Sequence, residues 1–423
     1  MTNQQILNSL YGDREEYKTS KQIVDELLGI IIKQDEKDLF KNTLTIPKGT
    51  MKPFKNYYDK FGDINIPNNE LFTVKINKDD IFKGIYISGS GNHKSWQIKN
   101  DLFYFHSNGY NCGAIDTKNI NLIQCKEEPT HNATRLHPNM VKSTLPIHGL
   151  LPAFSLGRNR GDEELSKEII DLYDDIFAFS VSSIETIEEL NTLLGMSDLG
   201  SMSLLQSIKN SKNLKDLASR AKRTAADQSK VSLGIRFNQA IIDEVFTDEF
   251  SDVDLEKLWK DRKIHLISSC HKKERYLKYY VSKYLKRCKA IATNKNLRIF
   301  IQFEDASSYL NPESRKENVA VDTTLTGLTD WRSDGFNFEV SIQNPNLIDR
   351  RIIDECNHFF IGTVVNKDSL NFLPSNVRDE IENLEYDDRE TSNKYVQYAY
   401  YKPGMKRPIL YYPFQPVCYH NII

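Results

Sequence analysis

The stretch Gly84-Ile85-Tyr86-Ile87-Ser88-Gly89-Ser90-Gly91-Asn92-His93-Lys94-Ser95 constrains this chain more than any other. An apolar run passes into a glycine-containing turn and then into Lys-Ser ahead of Trp96-Gln97-Ile98, the pattern of a buried strand, a tight loop and a helix start. Such a turn points backbone N–H groups at phosphate oxygens and adds the partial positive charge of a helix N-terminus. On that reading Gly89, Ser90, Gly91, Asn92, His93, Lys94 and Ser95 cradle a nucleotide. Lys94 reaches the β/γ-phosphates and the Ser95 hydroxyl ligates Mg²⁺. The match to G-x-x-x-x-G-K-[ST] is incomplete, because Ser88 and His93 occupy the glycine places. An ordinary turn between strand and helix fits the same residues.

The remaining chain has room for such a site. With 423 residues, 39% of them hydrophobic, it can bury a substantial core. A net charge of −2 excludes polyanion binding by bulk charge, so any nucleic-acid surface must be local. The six cysteines show no C-x-x-C spacing, which implies a reduced, intracellular protein without a zinc ribbon or disulfide framework. No signal peptide or membrane span is visible, and the expected place is the cytoplasm.

Periodicity predicts an amphipathic helix over about 18–40, then a small β-rich lead-in that includes Leu71–Ile76. After the loop come a helix through Ile98, Leu102 and Phe105, a turn at Asn108-Gly109, and a strand Cys112–Ile115 ending at Asp116. Strand, helix and strand imply a parallel sheet. Residues 156–250 read as helical, with runs such as Leu165–Tyr173 and Leu204–Ile208 and little strand character. Strands resume at Ile264–Ser268, Leu297–Phe303, Phe338–Ile342 and Phe359–Val364, with a helix over 272–289 between the first two. The tail adds a helix near Val377–Leu384 and strands Tyr395–Tyr400 and Pro408–Tyr412. The fold class is α/β.

Two further features carry chemistry. The strand Ile299–Phe303 delivers Glu304 and Asp305 at its carboxyl end, where a parallel sheet places its ligands. One carboxylate would hold Mg²⁺ and the other would orient or deprotonate water, although an acidic pair there also suits a helix N-cap before Ala306-Ser307-Ser308. Gln343 follows the strand 338–342, where its amide would touch the γ-phosphate or the water. Asp116-Thr117-Lys118 reads either as a nucleotide-positioning group or as a strand-end Asp capping the next turn, and His131, His137 and His148 read as loop residues.

Taken in order, Ile87–Ser95, Glu304-Asp305-Ala306, Trp331-Arg332-Ser333-Asp334-Gly335 and Val340-Ser341-Ile342-Gln343-Asn344-Pro345 resemble the ATPase core of the HerA/FtsK superfamily, and Asn357–Gly362 resembles the strand that follows. The resemblance covers about 70–125 and 260–415. It implies a RecA-like P-loop NTPase core with a mainly parallel sheet at 70–155 and 256–423. The N-terminal helix and lead-in then occupy 1–69, and a helical insertion occupies 156–255. It further implies an ATP hydrolase that uses ATP and Mg²⁺ in a homo-oligomeric ring, a hexamer, to move or package double-stranded DNA, with a nuclease or a capsid or portal as further partner. Carried over by position, Glu304 is the metal-side carboxylate, Asp305 the general base, Gln343 the polar sensor and Arg332 a trans-acting arginine finger. Arg332 also has a structural reading, in which Trp331 packs beneath it and Asp334 pairs with it.

Three departures stand out: His93 for the last loop Gly, Ser341 for Thr, and Glu-Asp for Asp-Glu. They leave a second expectation, a hydrolysis-deficient nucleotide-binding scaffold or DNA-tethering ring component. The segment Lys257–Lys289 holds twelve Lys/Arg against two acidic residues, with Lys272, Arg275 and Lys278 placed by periodicity largely on an outer face. That stripe is either a DNA-phosphate contact or a solvated face opposite acidic segments such as Asp243–Asp254.

Overall fold

The computed structural model describes residues 43–52, 71–77, 80–89, 93–117, 122–126, 144–156, 166–195, 201–211, 213, 215–216, 218–220, 231–246, 253–268, 274–293, 295, 297–312, 318–363, 367–384, 396–414, 416 and 418. The helix expected over 18–40, together with His131 and His137, lies outside them.

The strands are β1 (Thr43–Thr50), β2 (Leu71–Asn77), β3 (Lys83–Ile87), β4 (Asn111–Asp116), β5 (Ile147–Pro152), β6 (Asp175–Phe177), β7 (Ile264–Ser268), β8 (Ile299–Phe303), β9 (Phe336–Ile342), β10 (His358–Ile361), β11 (Tyr398–Tyr401) and β12 (Ile409–Pro413). They form one sheet in the order β2-β1-β12-β11-β10-β3-β9-β8-β4-β7-β5-β6. From β10 to β6 every described neighbour is parallel. From β2 to β10 every pairing is antiparallel. The β-rich lead-in joins the same sheet, since β1 reaches it through Gly49 and Thr50 opposite Pro413 and Tyr412.

The helices are α1 (Lys94–Ser107), α2 (Lys167–Ile170), α3 (Ile187–Leu194), α4 (Ser201–Lys209), α5 (Val231–Ile242), α6 (Leu255–Lys260), α7 (Glu274–Thr293), α8 (Val319–Asp330), α9 (Arg350–Glu355) and α10 (Ser375–Glu382). Strands buried on both faces need no polar side, and β8 accordingly reads as a near-continuous apolar run, whereas β9 is as deeply buried while alternating with Asn337, Glu339 and Ser341. Alternate residues then serve opposite cores. Tyr86 and Phe300 join Ile98, Leu102 and Phe105 of α1 on one face. Ile85, Ile87, Ile301 and Phe303 join Tyr276, Tyr280 and Tyr284 of α7 on the other.

The middle segment differs from expectation in two places. The run Leu165–Tyr173 makes only the single turn α2 before β6 adds an edge strand beside β5. β6 is three residues long with one fully buried, too short to show alternation. The other helices behave as a layer: Leu190, Leu193, Leu204 and Phe237 pack into the same core as α7.

Candidate nucleotide-binding site

Sheet register assembles the site. Ile87, the last residue of β3, pairs with Ile342 of β9, and Phe303 of β8 pairs with Val340 of the same strand. The phosphate-loop residues, the acidic pair and Gln343 therefore emerge at one end of three adjacent strands. The loop is clasped at its start, where Ser88 N donates to Ile342 O at 3.3 Å and Gly89 N to Thr363 O at 3.0 Å. Gly362 allows this, since a Cβ there would lie 2.5 Å from Ser88 Oγ and 2.8 Å from the Tyr398 ring. Ser90, Gly91 and Asn92 lie outside the described residues.

His93 takes the left-handed backbone, φ 57° and ψ 15°, directly before α1. This is the conformation for which glycine has no steric penalty, and a side chain there costs about 1 kcal/mol. The His93 ring stacks on Trp96 with centroids 3.5 Å apart, which offsets part of that cost. The departure in sequence thus keeps the backbone geometry the turn requires. Lys94 follows as the first residue of α1 and is buried, 4% exposed.

The Ser95 hydroxyl donates to Glu304 Oε1 at 3.1 Å. Glu304 is fully buried, and its other oxygen, Oε2, has no hydrogen-bond partner among the described residues. A buried carboxylate oxygen beside a hydroxyl is the hard-oxygen set that Mg²⁺ takes, so Ser95 and Glu304 fit the ion. Asp305 also adopts a left-handed backbone, φ 50°, and its carboxylate makes no capping bond to the turn that follows. It accepts instead from Gln343 Nε2, at 3.3 and 3.4 Å. Asp305 thus holds the N-cap position of Ala306–Ser308 without a side-chain cap bond.

Asp116 ends β4 fully buried, and its Oδ2 accepts from Leu122 N at 3.4 Å, the turn-capping role. Burial first, then the charges of Asp116, Asp305 and Glu304, push the Tyr309 phenol well above its ordinary value.

Arg332 is not part of this cluster. It lies exposed in the turn Trp331–Asp334, at the start of β9, whereas Lys94 lies beyond the end of the parallel β3. The length of β9 separates them by about 20 Å at about 3.3 Å per residue. Asp334 pairs with Lys289, whose ammonium also stands 6.0 Å from the Trp331 ring centre.

The basic face of α7 needs correction. Lys278 is buried, 3% exposed, rather than outward. Lys283 pairs with Glu185 at 3.3 Å and Glu189 at 3.0 Å, and Lys286 with Glu189 at 2.6 Å. Arg275 donates to Tyr276 Oη at 2.7 Å and lies over that ring, and Lys272 is outside the described residues. The acidic partners come from the start of α3, not mainly from the segment 243–254 anticipated for them. Burial opposes ionisation of Glu189, but bonds from Lys286, the Glu185 backbone and Lys283 prevail and hold its carboxyl below the usual range.

Sequence reasoning missed a buried clamp on α1. Lys48 of β1 donates to both Asp101 oxygens and, at 2.7 Å, to Tyr86 Oη. Gln302 Nε2 bonds Glu339 Oε1 at 2.7 Å and Ile98 O at 2.9 Å. Burial, then the neighbouring Asp101 charge, raises the Glu339 carboxyl well above its ordinary value. The one available signal was an acid, Asp101, on the apolar stripe of α1 between Ile98 and Leu102.

No protein-family model and no curated protein matches the chain. Among solved structures it is similar to VirB4 of Thermoanaerobacter pseudethanolicus, at TM-score 0.50 and 10% identity over 82% of this chain and 93% of that one. It is likewise similar to the bacterial conjugative coupling protein TrwBdeltaN70 in its trigonal form in complex with sulphate, at TM-score 0.50 and 11% identity over 90% and 97%. The likeness extends over nearly the whole of both comparison chains and shows the fold, an α/β core built on a mainly parallel sheet. Among the described residues no helix is long and apolar enough to cross a membrane.

Proposed function

We propose that this chain is an ATP-driven DNA translocase of HerA/FtsK type, which hydrolyses ATP in a homo-oligomeric ring to move or package double-stranded DNA. The observation that carries the reading is the Ser95–Glu304 hydrogen bond, beside a Glu304 oxygen with no hydrogen-bond partner among the described residues, at the end of the sheet where Asp305 meets Gln343. The similarity to a conjugative coupling protein supports the DNA-handling class.

In this scheme the loop, Lys94 and Ser95 hold the nucleotide phosphates, and Ser95 with Glu304 holds Mg²⁺. The ion would neutralise charge on the β- and γ-phosphates. Asp305 accepts the proton of the attacking water, and Gln343, already bonded to Asp305, orients that base and reports on the γ-phosphate. Arg332, too far from its own loop, acts on a neighbouring subunit. A mixture of Arg332→Ala and Lys94→Ala chains should then regain part of the activity each lacks, and co-assembled mixtures no better than the sum of the two remove this role. With Lys278 buried, the DNA contact is not assigned to α7 as a whole.

Phosphate release with and without duplex DNA tests the central reading. DNA-stimulated turnover, abolished in Asp305→Asn, is expected; absent turnover with intact Mg-ATP binding overturns it. That second outcome is the hydrolysis-deficient scaffold, which the shorter carboxylate at 305 favours.

A further inference from the structure

Cys125 and Cys418 are separated by 293 residues in sequence, yet the Cys418 thiol donates to Cys125 Sγ with the sulfurs 3.1 Å apart. Both are fully buried. The Cys125 backbone is held in the turn Ile123–Lys126 that follows β4, where its N donates to Leu122 O at 3.0 Å and its O accepts from Leu145 N at 2.7 Å. Cys418 comes from the tail beyond β12, which is tied down at Phe414: its N donates to Lys48 O at 3.1 Å, and its O accepts from Asn100 of α1 at 3.4 Å. Lys99, the neighbour of Asn100, is buried, 1% exposed, and its ammonium acts on both sulfurs.

We propose that Cys125 and Cys418 are a redox modification site, a dithiol that a hydroperoxide converts reversibly to a disulfide joining the C-terminal tail to the turn after β4. Cys125 is the attacking sulfur. Burial opposes its ionisation, but the Cys418 hydrogen bond and the Lys99 charge outweigh that and hold its thiol below the usual range, while burial and Cys125 raise Cys418. The Cys125 thiolate attacks the terminal oxygen of the hydroperoxide, breaking the O–O bond; it becomes a sulfenic acid, and the departing alkoxide, or hydroxide from hydrogen peroxide, takes up the proton the thiol had released. The Cys418 sulfur then attacks the sulfenic acid, its proton leaving with the sulfenic oxygen as water. Overall two thiols and one hydroperoxide give a disulfide and two hydroxyl-bearing products, and a dithiol reductant reverses the change.

The other described cysteines make the contrast. Burial pushes the thiols of Cys288 and Cys356 up to about 12 and that of Cys112 higher still. Such thiols are poor nucleophiles. This inference is independent of the ATPase reading, because it rests on two sulfurs and a lysine rather than on nucleotide chemistry.

The test is made on the full-length reduced protein, treated with hydrogen peroxide in one arm and held for hours in a glutathione redox buffer in the other. Thiols are then alkylated in denaturant and mapped by mass spectrometry. The expected product is a 125–418 linked peptide two hydrogens lighter than the reduced pair, lost on adding dithiothreitol. Full alkylation of both residues in both arms overturns the proposal. Dimedone labelling identifies the attacking sulfur: Cys418→Ser should trap a sulfenic acid on Cys125, whereas Cys125→Ser should leave Cys418 unlabelled. The opposite pattern overturns the assigned order of attack.

Discussion

The phosphate loop and helix α7 are both cationic stretches, and both attract a phosphate-binding interpretation from sequence. The fold treats them differently. At the loop, register brings Lys94 and Ser95 to the ends of β8 and β9, and Glu304 keeps one oxygen without a hydrogen-bond partner among the described residues. On α7 the acids of α3 and of the turn before β9 are used to capture Lys283, Lys286 and Lys289. A run of charge becomes a site only where the surrounding structure leaves coordination unfilled.

The largest effect should come from the loop side. Asp305→Asn should hold Mg-ATP affinity within about twofold while turnover falls about 10²–10⁴-fold, because an amide accepts no proton. Calorimetry and phosphate release check both halves. If Glu304→Gln loses turnover while Asp305→Asn keeps it, the roles of the two carboxylates are reversed. Lys94→Ala should weaken nucleotide binding about 10–100-fold, the loss of one charge-assisted contact, in a protein of unchanged melting temperature. Unchanged affinity would place the loop and α7 in the same class after all.

On the α7 side the expected change is in stability. Glu189→Gln removes the counter-charge of buried Lys283 and should cost about 2 kcal/mol in urea unfolding, with duplex DNA affinity unaltered. Stronger DNA binding in that variant would return α7 to the DNA-contact reading.

Acid should weaken both sides. Burial holds His106 of α1 at about 4, and His265 of β7, which meets Tyr284 of α7, at about 3. Both stay neutral in the fold while the unfolded chain protonates them below about 6.5. Their contribution is therefore complete above that pH and is lost as pH falls toward 4 and then 3. Denaturant midpoints measured from pH 7 to 5 should decline, and less steeply in His265→Gln. The smallest effect belongs to His93→Gly, where relief of the left-handed backbone and loss of the Trp96 stack should nearly cancel, leaving nucleotide affinity within about threefold.

The order of most elements and the convergence of the loop, the acidic pair and Gln343 at one end of the sheet were legible in the chain, because they depend on local patterns. Apolar runs such as Ile299–Phe303 announce buried strands whatever their neighbours, and a Lys-Ser at a helix start after such a run announces a phosphate loop. Even the His93 substitution carried its own resolution, since histidine is among the side chains that tolerate positive φ. What the tertiary structure alone decided was pairing across distance. Nothing near Glu189 in sequence says that it will neutralise Lys283 and Lys286, and nothing near Lys48 says that it will meet Asp101. The same holds for Cys125 and Cys418. Hydrophobic period depends on a residue's immediate neighbours, whereas a buried charge or thiol takes whichever partner the packed elements bring within a few ångströms.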